Sequence, residues 1–429
     1  MDARPRAFLA DLFRTAVTAA HPSTFLPSLL PPPPKGRLIL LAAGKAAGSM
    51  AEVAEGFYLD RLRIAAERLS GVAVARHGYG RHLRRVRMIE AGHPIPDAAG
   101  LEGAERALAL AGGAGTDDLV LVLMSGGASA NWIAPAAGIT FADKQAVTRA
   151  LLRSGAGIGE INTVRKHLSR IKGGRLARHA HPARLVTIAI SDVPGDDPSA
   201  IGSGPTVPDP TTLADARAIV TKYRLDLPQN VTAALADAAN ETPKPGDPAF
   251  AGSQFVLAAR PADSLRAAEA AVHAAGYECV LLGDRVEGEA REVAAAHAAL
   301  ARGLRARSAR AVILSGGELT VTIRGNGLGG PNQEYALALA IALAGMPAVT
   351  ALAGDTDGTD GGVGAASDPA GALVDGGTVA RAKALGLDPA AFLADNNSTG
   401  FFAALGDLLM PGPTYTNVND FRAIVVDRP

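Results

Sequence analysis

The chain of 429 residues carries 42 Lys plus Arg against 42 Asp plus Glu, a formal net charge of zero, so no global field favours nucleic acid or an acidic membrane surface. That length is enough for two or three domains with their own cores. A single cysteine, Cys279, excludes an intrachain disulfide and a zinc site built on cysteines, and suits a reducing cytosol.

Residues 1–20, MDARPRAFLADLFRTAVTAA, place Asp11 and Arg14 inside an apolar pattern. That interruption spoils a signal-peptide core and predicts an amphipathic helix. The proline run at 31–34 reads as a stiff connector into the first strand. Leu38 to Ala42 is a strand hidden on both faces, and Ala46 onward is a helix. Lys45 therefore sits at a strand-to-helix turn, beside backbone N–H groups that lack helical partners and suit an anion. A solvated loop lysine is the competing reading. His93, in a turn-rich loop with Asp97, either braces that loop or meets a substrate.

Ser125-Gly126-Gly127 and Ser129 follow the second strong strand. Glycines there permit converging N–H groups, as an anion requires, although a tight βα turn also needs them. No Gly-Lys-Ser/Thr follows, so this is not a Walker-type loop. In INTVRKHLSRIKGG, Asn162 is expected to cap a helix whose Val164, Leu168 and Ile171 share one face. Arg165, Ser169 and Lys172 form the next stripe, a solvated face or a grip on phosphate or carboxylate. Gly173-Gly174 is expected to end that helix. His179 and His181 have poor spacing for a metal pair.

The loop after the third strand offers Asp192, Asp196 and Asp197 as hard oxygen ligands in a proline-braced frame. Residues 240–249, NETPKPGDPA, break the alternation of strands and helices and mark a domain boundary near residue 245. Beyond it, Glu318 follows another strand and glycine turn, Arg324 precedes a glycine-rich stretch, and Glu334 ends it. Tyr335 to Gly354 has no charge over 20 residues, about the length of a membrane span. Gly345-Met346-Pro347 interrupts it, and a buried helix, a turn and a strand are the reading. Asp355, Asp357 and Asp360 come next, without the glutamate of an EF-hand. Alternating strands and helices imply an α/β fold with parallel sheets. Carboxylates at strand ends beside Gly-rich loops suggest Mg²⁺ held by one or two carboxylates and nucleotide phosphates.

The blocks AAGKAAGSM, GHPIPD, MSGGASA, NTVRKHLSRIKGGRLA, SDVPGDDPSAIGSGPTVPD, SGGELTVTIRGNGLGGPNQE, AGDTDGTDG and GPTYTNVNDFR together resemble the glycerate 2-kinases of the MOFRL family. Some of these were first labelled hydroxypyruvate reductases. The resemblance runs in order from Lys45 to Arg422. It implies an N-terminal Rossmann-like domain over residues 1–245 and a C-terminal α/β MOFRL domain over 246–429. A cleft between them would let ATP, with Mg²⁺, phosphorylate O2 of D-glycerate.

Lys45, Arg324 and Asp355 fall on family functional positions, and Asp192 joins them as an expected catalytic carboxylate. Phosphate binding is expected at Ser125, Gly126, Gly127, Ser129, Gly316 and Gly317. Substrate contacts are expected at Arg165, Lys172, Glu318, Asn332 and Glu334, and metal contacts at Asp192, Asp197 and Asp355. Asn397 stands where relatives commonly carry an acid. A cytoplasmic enzyme, monomeric or homodimeric, with no nucleic-acid or membrane partner is the expectation. The runner-up is a hydroxypyruvate reductase, although Gly44-Lys45-Ala46-Ala47-Gly48 lacks the dinucleotide G-x-G-x-x-G. A noncatalytic sugar-acid-binding protein is the third reading.

Overall fold

A computed structural model of the chain describes residues 3–307 and 310–427; Met1, Asp2, Ser308, Ala309, Arg428 and Pro429, which the two expected domains include, lie outside the described residues. The chain divides into two compact units, residues 26–258 and residues 1–25 together with 259–429. The boundary expected near residue 245 thus precedes the observed division. The reason is that a further strand, Gln254–Ala259, completes the first sheet after the proline-rich segment.

In the first unit, β1 (Leu38–Ala43), β2 (Leu69–Arg76), β3 (Val86–Ala91), β4 (Leu119–Met124), β5 (Arg184–Ile190) and β6 (Gln254–Ala259) form one sheet in the order β3-β2-β1-β4-β5-β6. Pairing is parallel from β3 through β5, with Leu38 opposite both Leu69 and Leu119. Every residue of β1 and of β4 is buried, as aliphatic runs covered on both faces require. The helix Ala98–Gly112 packs close on β2, because a Cβ at Gly103 would lie 2.5 Å from Val74 Cγ2. A second, all-helical cluster gathers Val147, Leu151, Ile161, Val164, Leu168, Leu213 and Val231.

In the second unit the strands are β7 (Glu278–Leu281), β8 (Gly288–Glu289), β9 (Ala311–Ser315), β10 (Leu319–Thr320), β11 (Val349–Asp355), β12 (Gly371–Asp375), β13 (Leu408–Leu409) and β14 (Asp420–Val426). Six of them form the sheet β13-β12-β11-β14-β9-β7, while β8 and β10 pair separately. The expectation of parallel sheets fails here. The fully buried last strand, β14, inserts between β9 and β11 and runs antiparallel to both, and β12 is antiparallel to β11. The uncharged stretch resolves into the helix Pro331–Ala342 and β11, and no described helix is long and apolar enough to cross a membrane.

The expected amphipathic helix forms over Ala3–Ala19 and belongs to this second unit. Its Leu9, Leu12, Phe13 and Ala16 pack with Leu265, Ala268 and Val272 of the helix Pro261–Ala274 and with Phe421. Phe13 meets Phe421 edge to face at 6.1 Å, and Arg6 bonds Asp375 and Asp407 at 2.8 and 2.7 Å. The first helix is thus a core element of a unit formed mostly by the end of the chain. Phe13→Ala is expected to cost about 3–5 kcal/mol through lost burial and a cavity, read as a lower denaturant midpoint; an unchanged midpoint would mean the helix is dispensable.

Candidate functional site

A sheet ordered 3-2-1-4-5-6 reverses its winding between β1 and β4, and ligands of doubly wound sheets bind in the crevice beyond the strand ends at that switch. The turns after β1 and β4 are the ones carrying Lys45 and Ser125-Gly126-Gly127. They are stitched together. The Lys45 N–H donates to the Gly126 carbonyl at 2.8 Å, the Ala46 N–H to Ser125 Oγ at 2.9 Å, and the Ser125 N–H to the Ala43 carbonyl at 3.1 Å. Gly44 has φ +114°, and a Cβ on it would lie 2.4 Å from the Ser125 carbonyl oxygen, so no side chain fits there.

This stitching corrects the reading of the first turn as a backbone anion cradle. The Lys45, Ala46 and Ala47 N–H groups already have acceptors, the last in Gly44 at 3.0 Å. What the turn presents is the half-buried Lys45 side chain. Its stem lies over Gly127, at 3.3 Å from where a Cβ would stand, and the His93 ring lies at 3.1 Å from the same point. With φ +84°, Gly127 is held to glycine on two counts.

The segment after Gly127 gathers the basic stripe. Lys172 Nζ donates to the Ser129 carbonyl at 2.8 Å and to Ser129 Oγ at 3.1 Å, and Arg165 Nη2 to the same carbonyl at 3.3 Å. Ser203 Oγ lies 2.7 Å from Ser129 Oγ. The local structure differs from expectation. The helix runs over Ile158–His167 with Gly157 as its cap, so Asn162 lies inside it, and Gly173-Gly174 opens the helix Arg175–Ala180 instead of closing the previous one. Burial of Ile171 and Lys172 in a folded-back turn produces the apparent helical period.

Lys172 is only 1% exposed, and burial, with Arg165 and Lys144 adding repulsion, pushes its ammonium well below the usual lysine range. Burial likewise lowers Arg165, whose Nε is shut off from solvent without a hydrogen-bond partner. In the following loop, Asp192 is half-buried. Asp197 is exposed, and its two oxygens accept from the Ser199 N–H and hydroxyl, each at 2.8 Å.

The second unit carries the remaining expected residues. Arg324 is exposed on the loop after β10, and that loop is pinned by Asn396, whose Oδ1 accepts from the Arg324 N–H at 2.7 Å and the Gly325 N–H at 3.0 Å. Asn396 Nδ2 donates to Glu334, and Glu334 Oε1 also accepts from Arg291 Nε at 2.7 Å. Glu334, expected as a substrate contact, is buried and spends its carboxylate on holding this pin. Asn396 is the residue the sequence reading missed. Its positive φ of 53°, a conformation asparagine tolerates, was announced only by an Asn-Asn pair before a helix. Asn397 caps the helix Ser398–Leu405 through the Gly400 N–H at 3.2 Å, a role open to asparagine and aspartate alike.

Asn332 is likewise buried, correcting its expected role as a contact. Its backbone and side-chain N–H groups donate to Asp360, and Nδ2 also reaches Asp420 Oδ1 at 2.6 Å. Arg422 completes the network with Asp420 at 2.8 Å and with the Gly316 carbonyl. Burial pushes the Asp360 carboxyl up to about 7, the nearby Asp420 adding to the rise while the N–H donors of Asn332 and Gln333 oppose it. Gly317, at φ +104°, has no room for a Cβ beside Val286. Glu318 is exposed. Of the three acids after β11, Asp357 and Asp360 are buried, and Asp355 is half-buried with Oδ1 accepting from the Asp357 N–H at 2.9 Å. Among the described residues, no three His, Cys, Asp or Glu side chains are grouped to hold a metal alone.

Residues 8–236 match a family described as a domain of unknown function, DUF4147, and residues 311–420 match the MOFRL family. A D-glycerate 2-kinase of Thermotoga maritima is 36% identical over 96% of this chain and 95% of its own. The human glycerate kinase is 34% identical over 96% and 91%. An Agrobacterium vitis protein provisionally named a hydroxypyruvate reductase is 47% identical over 99% and 95%. The crystal structure of a Thermotoga maritima glycerate kinase superposes with a TM-score of 0.85 at 35% identity, covering 99% of both chains. With its doubly wound first sheet, its stitched Lys45 turn and these matches along nearly its whole length, the chain belongs to the glycerate 2-kinase family whose members join a DUF4147 domain to a MOFRL domain.

Proposed function

We propose that the protein transfers the γ-phosphoryl group of ATP to O2 of D-glycerate, giving 2-phosphoglycerate. The observation that carries this reading is the Lys45 turn. Its Lys45, Ala46 and Ala47 N–H groups already have acceptors in Gly126, Ser125 and Gly44, and the Lys45 side chain stands at the switch-point turn, where phosphoryl transfer calls for a cation. This weighs against a hydroxypyruvate reductase, in agreement with the missing G-x-G-x-x-G.

In this reading Lys45 of the first unit and Arg324 of the second are each cations of the kind that offset charge on a transferring phosphoryl group. Ser125 to Ser129 in the first unit and Gly316-Gly317 in the second are the glycine turns suited to phosphate. Arg165, Lys172 and Glu318 serve as substrate contacts. Asp192 and Asp355, half-buried at strand ends, are the carboxylates suited to the remaining tasks, one accepting the proton of the O2 hydroxyl. Oxygen donors of this kind fit Mg²⁺ shared with nucleotide phosphates, and Asp192 in the first unit or Asp355 in the second would be its ligand. Asp197 is exposed, and each of its oxygens accepts one hydrogen bond from Ser199. The bound ion would supply charge neutralisation on the phosphates. A cytoplasmic location accords with the single, half-buried cysteine.

A coupled assay with ATP, Mg²⁺ and D-glycerate, with the product identified by ³¹P NMR, tests the reading. 2-Phosphoglycerate is expected. 3-Phosphoglycerate, or oxidation of NADH by hydroxypyruvate without ATP turnover, would overturn it.

Lys45→Ala and Arg324→Ala are each expected to lower kcat by roughly 10² to 10³, the usual cost of one preorganised charge contact, with the thermal midpoint unchanged. Near wild-type turnover in either variant removes that residue from the mechanism. Turnover is also expected to stop in EDTA and return with Mg²⁺; full activity after chelation would exclude the carboxylate–metal assignment.

A further inference from the structure

Lys144 is a buried lysine for which the kinase reading has no use so far. It lies in the helix Phe141–Arg153, is 3% exposed, and its Nζ donates to the Arg165 carbonyl at 2.9 Å and the Leu168 carbonyl at 2.8 Å. Those carbonyls belong to the last turn of the helix Ile158–His167, where intrahelical partners run out and a cation is favoured. From this tied-down end the chain folds back to bring Lys172 beside Arg165 on the Ser129 carbonyl.

We infer that Lys144 is a positioning residue for the anion-binding pair Arg165 and Lys172, and that this pair takes the carboxylate of the hydroxy acid, not the phosphates of the nucleotide. The inference rests on the kinase reading above and deepens it.

Two observations support it. The first is uncompensated charge. Burial first, then repulsion by Arg165, lowers both Lys144 and Lys172, with Arg175 adding to the shift of Lys144 and Lys144 to that of Lys172, and among the described residues neither lysine has a carboxylate partner. The neighbouring Lys166 shows the alternative. It is as deeply buried, but it pairs with Asp209 at 3.2 Å, which is how this fold treats a buried lysine of structural purpose. A buried positive group left without a counter-ion is stabilised by an arriving anion.

The second observation is the number of donors left. An ammonium has three, and two of those on Lys172 already point at Ser129. One ammonium donor and a guanidinium suit the two oxygens of a carboxylate. A triphosphate chain, large and strongly hydrated, needs more donors than so enclosed a pair offers. Removing Lys144 would free the turn from Arg165 to Leu168, misplace both cations and weaken hold on the carboxylate alone.

The test is steady-state kinetics of Lys144→Met together with calorimetric binding of D-glycerate and of its neutral analogue glyceramide in the absence of ATP. The KM for D-glycerate should rise about tenfold or more, as loss of a charge-assisted contact does, while kcat and the KM for ATP change little. Lys144→Arg should restore most of the affinity. Wild-type protein should bind D-glycerate and not glyceramide.

An unchanged glycerate KM, or equal rises for both substrates, overturns the inference. If Lys144→Met fails to fold, Lys144→Gln decides: a raised KM for D-glycerate with the KM for ATP retained supports it, and no change or equal rises for both overturn it. Calorimetry separates the two levels. A wild type that binds D-glycerate through its carboxylate without phosphorylating it contradicts the kinase reading only, whereas a kinase indifferent to Lys144 contradicts the inference only.

Discussion

The first unit depends on the tie between two adjacent strand ends. At a switch point the chain leaves β1 in one direction and β4 in the other, and the two departing turns would separate unless something held them. Three hydrogen bonds do so: the Lys45 and Ala46 N–H groups, which lie before the first helical turn, bond Gly126 and Ser125, and the Ser125 N–H continues the β1–β4 ladder to Ala43. Gly44 makes the approach possible, since the Ser125 carbonyl occupies the place of its Cβ. Once the turns are locked, the Lys45 stem has one course, over Gly127 and past the His93 ring. The positions of Ser129, and through it Arg165 and Lys172, follow from the same locked turn.

The second unit solves a different problem, that of long glycine-rich loops with little apolar surface of their own. It fixes them with buried polar groups. Asp360 caps the start of the helix Pro331–Ala342 by accepting from the N–H groups of Asn332 and Gln333, and Asn332 passes the connection on to Asp420 and Arg422. Glu334, one turn into that helix, serves the Arg324 loop through Asn396. Such networks specify geometry only when nearly every member is satisfied. Here the Asn332 Oδ1 is the exception, buried without a partner. Glu334 and Asp360 are consumed in this way, while Asp355, at the end of β11, is more exposed than Asp357 and Asp360.

What was legible in the sequence follows from the range of the interactions concerned. The strands of the first sheet are continuous aliphatic runs, and their burial on both faces reads directly as parallel pairing. The α/β class and the importance of the glycine turns came from the same signal. Strand order in the second sheet was not legible, because β14 pairs with β9 and β11 across the length of that unit and no local pattern records direction. The helix at Ile158 was misplaced by one turn and extended too far, since Leu168 and Ile171 keep a helical period while lining a folded-back turn. Side-chain placements were legible where strand and turn signals are strong, as for Lys45 at the turn after β1. Side-chain roles were not legible for Glu334 and Asn332, whose acceptors and donors serve equally for substrate or for scaffold until burial decides.

The two units treat buried charge in opposite ways, and the kinase reading gives that contrast a meaning. In the second unit the buried acids are met by Arg291, Arg422 and amide donors, so little net charge remains to attract a ligand. In the first, Lys144, Arg165 and Lys172 stand together on carbonyl partners, with no counter-ion for them among the described residues. Leaving cations unpaired in a folded interior opposes stability. The fold tolerates that cost because the helix Ile158–His167 presents its carbonyl end to Lys144, and the Ser129 carbonyl meets both Lys172 and Arg165, so dipoles substitute for a missing carboxylate. Dipoles solvate a charge without cancelling it, whereas a built-in carboxylate would occupy the place of the substrate's own. An enzyme for a small hydroxy acid gains selectivity from that difference, because a ligand lacking the negative group leaves the cations as poorly compensated as before.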